Sequence, residues 1–322
     1  MTGGAGYVGS ACMRWLLKAG VDAIAYDNLS LGHAQSVPLD RLIVGDIHDS
    51  DALRAAFVHS QPDGVMHFAA SAYVGESVVD PERYYRNNVA GTLSILQVMR
   101  ESRVNRLLFS STCATYGIPE VMPITENTPQ SPVNPYGRTK LAVEWMIKDF
   151  AAAYGQGCTI LRYFNAAGAS PDGHYGEDHT PETHLIPLAL KAAMGDHEAL
   201  KVFGSDYPTP DGTCIRDYIH IDDLADAHLK AINNTDPGIT REYNVGTGSG
   251  VSVREVISAC EQVTGRTVPY EMVDRRVGDP PTLVANASEL MQELDWQPEY
   301  STITPIVETA WRWHSRMPDG YQ

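Results

Sequence analysis

Short apolar runs alternate, through the first half of the chain, with segments in which apolar residues recur every three or four positions. The apolar runs predict buried strands at residues 23–27, 42–46, 65–70 and 107–112. The periodic segments predict helices up to Gly20, from Ala52 to Phe57, from Pro81 to Glu101 and from Pro135 to Tyr154. This alternation of strand and helix is typical of an α/β fold with a parallel sheet.

The pattern changes near residue 165, where loops rich in Gly, Pro, Asp and His separate the helical segments. Helices are predicted at residues 188–194, 222–232, 253–263 and 303–314. The change of pattern predicts a first domain at residues 1–165 and a smaller α/β domain at 166–322. Because long ordered loops often bind ligands, we expect the second domain to bind the substrate. Residues 217–246, predicted as a helix followed by a strand, can return to pack on the first domain.

A glycine-rich loop opens the chain, with Gly3, Gly6 and Gly9 at three-residue steps before the first helix. Glycines let the backbone approach a pyrophosphate, whose charge then lies at the helix N-terminus. The following strand ends at Asp27, where a carboxylate would bind ribose hydroxyls and repel a 2′-phosphate. The loop and Asp27 together predict NAD as cofactor, bound to a Rossmann-type doubly wound parallel sheet.

The beginning of the chain departs from this pattern. Such a loop normally follows an apolar strand at the centre of the sheet, but here only Met1 precedes Thr2. A sheet without that strand would leave buried backbone groups unpaired. We therefore hypothesise that the natural protein carries several more apolar residues before Met1, which the intact mass of protein from its native source would test.

Tyr136 and Lys140 lie one turn apart on the predicted helix that begins at Pro135, with about 5–6 Å between their Cβ atoms. A neighbouring ammonium favours the phenolate and lowers the pKa of a tyrosine from about 10. This spacing also fits an ordinary surface pair, but Thr112 ends a strand whose carboxyl end faces the same crevice as the glycine loop. The three residues together predict a general base at that crevice.

The balance of charge argues against a protein that binds nucleic acid or an anionic membrane. Among 322 residues, 40 acidic side chains face 24 basic ones, which gives a net charge of −16. No apolar run approaches about 18 residues, and the first residues are glycines without a basic and then apolar leader. We therefore expect a cytoplasmic protein without a membrane span.

The cysteines and histidines show no spacing typical of a metal site. The five cysteines lie far apart without a Cys-x-x-Cys pair, which indicates reduced thiols. The eleven histidines show no ligand spacing either. We expect no metal and no disulfide.

In their order along the chain, the glycine loop, Asp27, Thr112 and the Tyr136/Lys140 pair resemble the extended short-chain dehydrogenase/reductase family, whose members act on nucleotide sugars. The resemblance covers essentially the whole chain. The second half narrows it to the UDP-glucose 4-epimerase family through Arg162-Tyr163-Phe164-Asn165, Gly176-Glu177-Asp178, His184-Leu185-Ile186-Pro187, residues 203–209 and residues 211–220. The resemblance implies an NAD-binding Rossmann domain, a UDP-sugar-binding domain, and a homodimer built by the helices at 81–101 and 135–154.

The resemblance also implies the residues of the site. Those that would line the NAD site are Gly3, Gly6, Tyr7, Val8, Gly9, Asp27, Asn28, Asp46, Ile47, Phe68, Ala69, Asn87, Lys140 and Phe164. Catalysis would rest on Thr112, Tyr136 and Lys140. Those that would meet the UDP-sugar are Thr112, Tyr136, Asn165, Leu185, Phe203, Arg216, Tyr218, Arg276, Asp279 and Leu283. The chain departs from many members of the family at His184, where they have Asn, and from some at Ala72, where they have a cation.

The implied reaction inverts C4 of the hexose in UDP-glucose and UDP-galactose through a 4-keto intermediate. Tyr136 would take the proton of the 4-hydroxyl while NAD accepts the hydride, and the hydride would return to the opposite face. A 4,6-dehydratase of the same family would need Asp and Glu directly after Thr112, where this chain has Cys113 and Ala114.

The sequence restricts the identity of the sugar less than it restricts the type of reaction. A UDP-arabinose/UDP-xylose or UDP-N-acetylhexosamine 4-epimerase would use the same chemistry, and a non-catalytic nucleotide-sugar-binding protein is a distant alternative. By resemblance, Leu283 occupies the position whose bulk decides whether an N-acetyl group fits. Because leucine is of intermediate size, we predict UDP-glucose and UDP-galactose as substrates with little activity on N-acetyl sugars.

Overall fold

The computed structural model describes residues 1–195, 199–276 and 278–321. Its strands are β1 (Ala25–Asp27), β2 (Leu42–Val44), β3 (Val65–His67), β4 (Arg106–Thr112), β5 (Gly157–Tyr163), β6 (Asn165–Ala167), β7 (Leu200–Phe203), β8 (Ile215–His220), β9 (Thr240–Val245), β10 (Gly250–Ser252), β11 (Tyr270–Val273) and β12 (Thr282–Leu283). Its helices are α1 (Tyr7–Lys18), α2 (Ser50–Ser60), α3 (Val74–Val79), α4 (Pro81–Tyr84), α5 (Gly91–Glu101), α6 (Pro135–Tyr154), α7 (Leu185–Met194), α8 (Ile221–Asn233), α9 (Val253–Thr264), α10 (Ser288–Leu294) and α11 (Ile303–Arg316).

The principal sheet is parallel throughout, which confirms the predicted α/β class. Strands β3, β4, β5 and β9 pair in that order, and β1 pairs with β2. Thr2 joins the two groups, because it forms parallel bridges to Tyr26 and to His67. Met1 and Thr2 thus take the middle position of the sheet, where the Met1 carbonyl accepts a hydrogen bond from the Tyr26 N–H at 2.7 Å.

Helices cover both faces of this sheet and bury its apolar side chains. Helices α1 and α8 pack together on one face, with Met13 and Leu224 in the core between helix and sheet. Helices α2, α5 and α6 cover the other face, where Leu96 and Val143 are fully buried. Because both faces are covered, most residues of β3, β4 and β5 are buried, including the apolar run Leu107-Leu108-Phe109 that the sequence pattern predicted as a strand.

Helix α6 begins and ends where its capping residues require. The Asn134 side chain accepts a hydrogen bond from the Gly137 N–H at 2.8 Å, and Pro135 occupies the first helical position. The helix stops at Gly155, whose φ of +69° is left-handed. These signals fix the start of the helix that carries Tyr136 and Lys140.

The predicted helix from Pro81 to Glu101 is divided by a π-helical segment at Tyr85–Ala90. Within it, the buried Asn88 amide donates to Thr139 Oγ1 of α6 at 3.0 Å and accepts from the Ser71 N–H at 2.8 Å. A π segment inserts one residue into the helical repeat, often at functional sites. Apolar periodicity could not reveal that insertion, since it changes no residue type.

A smaller set of elements follows the first sheet. Strand β8 lies between β10 and β12 and also pairs with β6, while β7 pairs with β11. Helices α7, α9 and α11 pack together around a separate apolar core. Residues 217–246 return to the first sheet, because β9 pairs in parallel with β5 and α8 packs on α1.

Among the residues described, no helix combines the length and the apolar character needed to cross a lipid bilayer.

Candidate functional site

A cavity of about 630 Å³ lies beyond the carboxyl ends of β1 and β3. Open parallel sheets bind their ligands at this edge. The predicted cofactor residues that line it are Gly3, Gly6, Asp27, Asn28, Ile47, Phe68, Ala69 and Asn87. The strands beside it are shorter than the sequence predicted, because residues 45–46 and 68–70 leave the sheet and form part of this region.

The glycine loop has no room for side chains at two of its positions. Gly3 has a φ of +72°, and a Cβ there would lie 2.4 Å from the backbone N of Ala69. A Cβ at Gly9 would lie 2.2 Å from the Gly3 carbonyl oxygen. Gly6 precedes α1 without any side-chain cap, so the first N–H groups of that helix stay available to an anion. The loop therefore fits a pyrophosphate.

Asp27 is buried at the wall of the cavity, and its carboxylate is held in place by the backbone. Oδ2 accepts from the Ala5 N–H and Oδ1 from the Leu29 N–H, both at 2.9 Å. A carboxylate oxygen accepts more than one hydrogen bond, so each retains capacity for a ribose hydroxyl. This geometry fits a dinucleotide without a 2′-phosphate.

Asp46 acts on the cavity through Asn28. The Asn28 amide donates to Asp46 Oδ2 at 2.9 Å, and the His48 N–H donates to Oδ1 at 2.8 Å. Burial would raise the pKa of Asp46, but these hydrogen bonds outweigh it and lower that pKa. Asp46 therefore stays ionised and orients Asn28.

The remaining predicted cofactor residues make other contacts. The Tyr7 hydroxyl donates to the Gly168 carbonyl at 2.6 Å, and Val8 packs on the core beneath α1. Phe164 lies in an apolar cluster with Cys113 and Leu283.

Sequence reasoning missed two cationic residues of the cavity, Arg83 and Arg86. They come from α4 and the π-helical segment, four and one residues before Asn87. In so acidic a chain, their proximity to a predicted site residue was an available signal.

Lys140 is buried beside the carboxyl end of β4. Its Nζ donates to the Ser110 carbonyl at 2.7 Å and lies 4.8 Å from the centre of the Phe109 ring. Burial lowers the pKa of Lys140 to about 7, although Glu144 acts in the opposite direction. The ammonium therefore gives up its proton far more readily than an exposed lysine.

Thr112 and Tyr136 meet at this position, since the Thr112 hydroxyl lies close enough to the Tyr136 phenol to lower its pKa. Thr112 Oγ1 also accepts from the Ala114 N–H at 3.1 Å, which fixes the hydroxyl at the end of β4. The structure thus brings together the two hydroxyls that the sequence placed at one crevice.

The pKa of Tyr136 moves opposite to the prediction from helix spacing. Burial raises it, with a further contribution from Tyr163, and the Thr112 hydroxyl offsets only part of the rise. Lys140 directs its ammonium to Ser110. Helical spacing places the two residues on one face but carries no information on burial, which decides the direction here.

Strand β8 gathers several of the predicted sugar-nucleotide residues. Tyr218 is paired in register with Asn165 of β6, and Arg216 with Leu283 of β12. The Arg216 guanidinium donates to Asp279 Oδ1 at 2.5 Å.

A second arginine lies nearby on an aromatic ring. The Arg276 guanidinium carbon is 3.8 Å from the centre of the Phe203 ring, which is within the range of a cation–π contact. Leu185, the first residue of α7, packs on the second apolar core.

The residues predicted to bind the UDP-sugar adjoin Thr112 through Cys113. Cys113 shares the apolar cluster of Leu283, and the charge of Arg216 acts on its thiol. Burial nevertheless raises the pKa of Cys113 to about 12. The thiol beside Thr112 is therefore neutral at physiological pH.

Comparison with known proteins places this site in a family context. A model of the NAD dependent epimerase/dehydratase family matches residues 1–246. The chain is 48% identical over 322 residues to UDP-glucose 4-epimerase of Halalkalibacterium halodurans, covering 100% of this chain and 96% of that protein. UDP-glucose 4-epimerase from Brucella ovis in complex with NAD superposes with a TM-score of 0.93 at 49% identity, covering 96% of each chain. The enzyme from Bifidobacterium longum in complex with NAD+ and UDP gives a TM-score of 0.95 at 38% identity, covering 99% of this chain and 98% of that one.

Proposed function

This chain belongs to the NAD-dependent epimerase/dehydratase family, and we propose that it interconverts UDP-glucose and UDP-galactose by inverting C4 of the sugar. The observation that carries the proposal is the position of Thr112 and Tyr136 beside the buried Lys140 at the carboxyl end of β4. The relatives named UDP-glucose 4-epimerase support it at 45–49% identity.

NAD supplies the chemistry that the side chains lack, because when bound it accepts a hydride from C4 and returns it. The Gly3 loop, Asp27, Asn28 and Asn87 would hold it in the cavity beyond β1 and β3.

The side chains move the proton. Tyr136, as phenolate, accepts the proton of the 4-hydroxyl during oxidation and donates a proton back when the 4-keto sugar is reduced. Since burial raises the pKa of Tyr136, the phenolate needs a nearby positive charge, which Lys140, one helical turn away, would supply in its protonated form. Thr112 would favour the phenolate further, because its hydroxyl lowers the pKa of Tyr136.

The arginines would hold the diphosphate while the sugar stays free to turn. Arg216 and Arg276 present planar donors of the kind that bind phosphate oxygens in pairs. Asp279 and Phe203 fix the two guanidinium groups before substrate arrives.

A dehydratase reaction is disfavoured by the residues after Thr112. Elimination of water needs an acid and a base at C5 and C6. Ala114 has no titratable group, and burial keeps the Cys113 thiol protonated. The site therefore supports reversible oxidation at C4 alone.

The direct test is turnover of UDP-galactose by the purified protein, with UDP-glucose measured by chromatography and no oxidant or reductant added. Conversion to an equilibrium mixture supports the proposal. Binding of UDP-galactose without any conversion would instead favour a non-catalytic binding protein.

The Leu283→Ser variant is expected to widen the sugar range. Leu283 is only 9% exposed, and a smaller side chain opens space at the position proposed to face the sugar. We expect the ratio of kcat/KM for UDP-N-acetylglucosamine to that for UDP-glucose to rise about 10- to 100-fold, the scale of one or two methylene groups in a pocket. Coupled epimerase assays on both sugars measure this ratio.

Ile124→Ala is the matched control, because Ile124 is fully buried in the same apolar cluster. It loosens the packing without changing the position proposed to face the sugar. An equal change of the ratio in both variants would show that general loosening, rather than the size of residue 283, sets the sugar range.

The Gly3→Ala variant is expected to lose NAD affinity by at least about tenfold. The added Cβ would meet the Ala69 backbone at 2.4 Å, so the loop must move away from the pyrophosphate position. Calorimetric titration of NAD into cofactor-free protein gives the affinity. Gly20→Ala is the control, since Gly20 has a φ of +76° but nothing within 4 Å. Equal losses in both variants would attribute the effect to backbone strain alone.

A homodimer is proposed from the outer surfaces of two helical segments. The exposed apolar side chains there are Tyr85 and Leu93, from the π-helical segment and α5, and Trp145 and Tyr154, from α6. Large exposed apolar patches on a protein often mark protein–protein interfaces. Light scattering of the purified protein measures the mass directly, and a monomeric mass at micromolar concentration would refute the dimer.

The cytoplasm is the proposed compartment. All five cysteines are free and buried, which suits a reducing environment. Cell fractionation with an antibody to the protein would locate it.

A further inference from the structure

Four side chains converge in the loop that connects β6 to α7. They are Glu177, His179, Glu182 and His184, and one nitrogen or oxygen of each lies within 4.8 Å of the others. The loop is separate from the NAD cavity described above, and none of the four lines that cavity. Neither the proposed reaction nor the cofactor uses these residues.

Three of the four side chains are largely buried, although they are charged or polar. The Glu177 and Glu182 side chains are 3% and 4% exposed, that of His179 is 17% exposed, and that of His184 is 48% exposed. Oε2 of Glu182 has no hydrogen-bond partner among the described residues and lies 3.8 Å from Nδ1 of His179. A buried carboxylate oxygen without a donor is costly unless a cation neutralises it.

Several separations among these atoms are close to the edge of a tetrahedral metal site. Nitrogen and oxygen ligands about 2.0–2.2 Å from a tetrahedral ion are roughly 3.4 Å from each other. His179 Nδ1 lies 3.1 Å from Glu177 Oε1, and His184 Nδ1 lies 3.7 Å from Glu182 Oε1. His184 Nδ1 and Glu177 Oε1 are in direct contact, so these two atoms would move apart to bind one ion.

We propose that Glu177, His179, Glu182 and His184 form a structural site for a divalent transition-metal cation of the zinc class. Two imidazoles with two carboxylates suit Zn²⁺, whereas Mg²⁺ and Ca²⁺ prefer oxygen ligands alone. No metal was expected from the sequence, because the motif Glu-x-His-x-x-Glu-x-His follows none of the common zinc spacings. The proposed site revises that expectation.

The site would join the loop to three helices. The His179 ring lies edge-on to Tyr7, the first residue of α1, at 6.2 Å between ring centres. The Glu177 carbonyl accepts from Trp313 Nε1 of α11 at 3.1 Å, and His184 directly precedes α7. With four protein ligands the ion has no open position, so its role is to order this loop rather than to take part in chemistry.

Metal content and calorimetric titration test the proposal on the full-length protein, produced without a histidine tag and stripped with a chelator. We expect ZnCl₂ to bind at one ion per chain and, at about 100 times its Kd, to raise Tm by about 5 °C. Millimolar MgCl₂ is expected to leave Tm unchanged. Fewer than roughly one zinc per ten chains at saturation, or an equal response to MgCl₂, would overturn the site and leave ordinary Glu–His ion pairs.

Two variants assign the ligands. His179→Asn and Glu182→Gln are each expected to weaken zinc binding by more than about 100-fold, since even outer-shell changes cost 10- to 100-fold. His174→Asn, at an exposed histidine of the same loop, is expected to keep the wild-type affinity. Circular dichroism verifies folding of each variant. Wild-type affinity in the two ligand variants, or equal loss in His174→Asn, would refute the assignment, and the stoichiometry of the unaltered protein stays decisive if a variant misfolds.

Discussion

Replacement of Tyr136 by phenylalanine is expected to lower kcat for UDP-galactose by about 10²- to 10⁴-fold, the range that general acid–base catalysis contributes. The phenol lies beside Thr112 and one turn from Lys140, so its oxygen is the group placed to exchange a proton with the sugar. Phenylalanine keeps the ring and its packing against Tyr84 but removes that oxygen. Steady-state kinetics with both UDP-sugars give kcat and KM separately.

The matched control is Tyr270→Phe, which removes a hydroxyl from an exposed tyrosine of β11. It is expected to keep kcat within about twofold, since surface substitutions change little. NAD content is measured in both variants, so that lost cofactor is not mistaken for lost chemistry. A Tyr136→Phe enzyme with wild-type kcat would remove Tyr136 from the role of base.

Periodicity and turn residues were sufficient to predict several strands and helices in the first half of the chain. The runs ending at Asp27 and Thr112 became parallel strands, and the signals at Asn134, Pro135 and Gly155 marked both ends of α6. Such predictions succeed because burial on both faces and capping act locally on residue type.

The details of the long helix and the short strands could not be predicted in the same way. The π-helical segment around Asn88 depends on hydrogen bonds to Ser71 and Thr139, which are distant in sequence. Strand β12 has two residues and forms only because β8 lies beside it. Such features are set by tertiary contacts, which residue propensities do not contain.

In the candidate site, too, some features could be predicted from the sequence and others could not. The glycine loop and Asp27 could be predicted because Gly3 and Gly9 leave no room for a side chain and Asp27 ends a strand. The direction of the pKa of Tyr136 could not, because it depends on burial by residues from other elements. The Glu177–His184 cluster was missed because its spacing matches no common motif, and only the folded loop brings its ligand atoms together.

The buried ion pair between Arg162 and Glu144 is the interaction whose loss is expected to lower the stability of the fold most. Arg162 of β5 and Glu144 of α6 are 1% and 0% exposed, and Arg162 Nη2 donates to Glu144 Oε2 at 2.7 Å. Ser111 and Gln130 also donate to the Glu144 carboxylate, and Arg162 Nη1 donates to the Tyr116 hydroxyl at 3.0 Å. Burial would lower the pKa of Arg162, but Glu144 outweighs it and raises that pKa.

Arg162→Met is therefore expected to lower the free energy of unfolding by about 3–5 kcal/mol, because it leaves the Glu144 carboxylate buried without its cation. Urea unfolding of NAD-saturated protein measures the loss, with the cofactor concentration held constant because ligand binding itself stabilises. Arg54→Met is the control, since Arg54 is 46% exposed and pairs with a Glu101 that is 42% exposed. That variant is expected to cost no more than about 1 kcal/mol.

The double variant Glu144→Leu/Arg162→Met separates the ion pair from simple loss of packing. If the cost of Arg162→Met comes mainly from the unpaired carboxylate, removing Glu144 as well should recover part of it, with a coupling free energy of about 2–3 kcal/mol in the double-mutant cycle. Recovery stays incomplete, because removing Glu144 leaves Ser111 without its acceptor and Tyr116 has lost Arg162 in both variants. Strictly additive costs would show that the two side chains stabilise the fold by packing alone, and a cost for Arg162→Met equal to that of Arg54→Met would show that burial gives this pair no special weight.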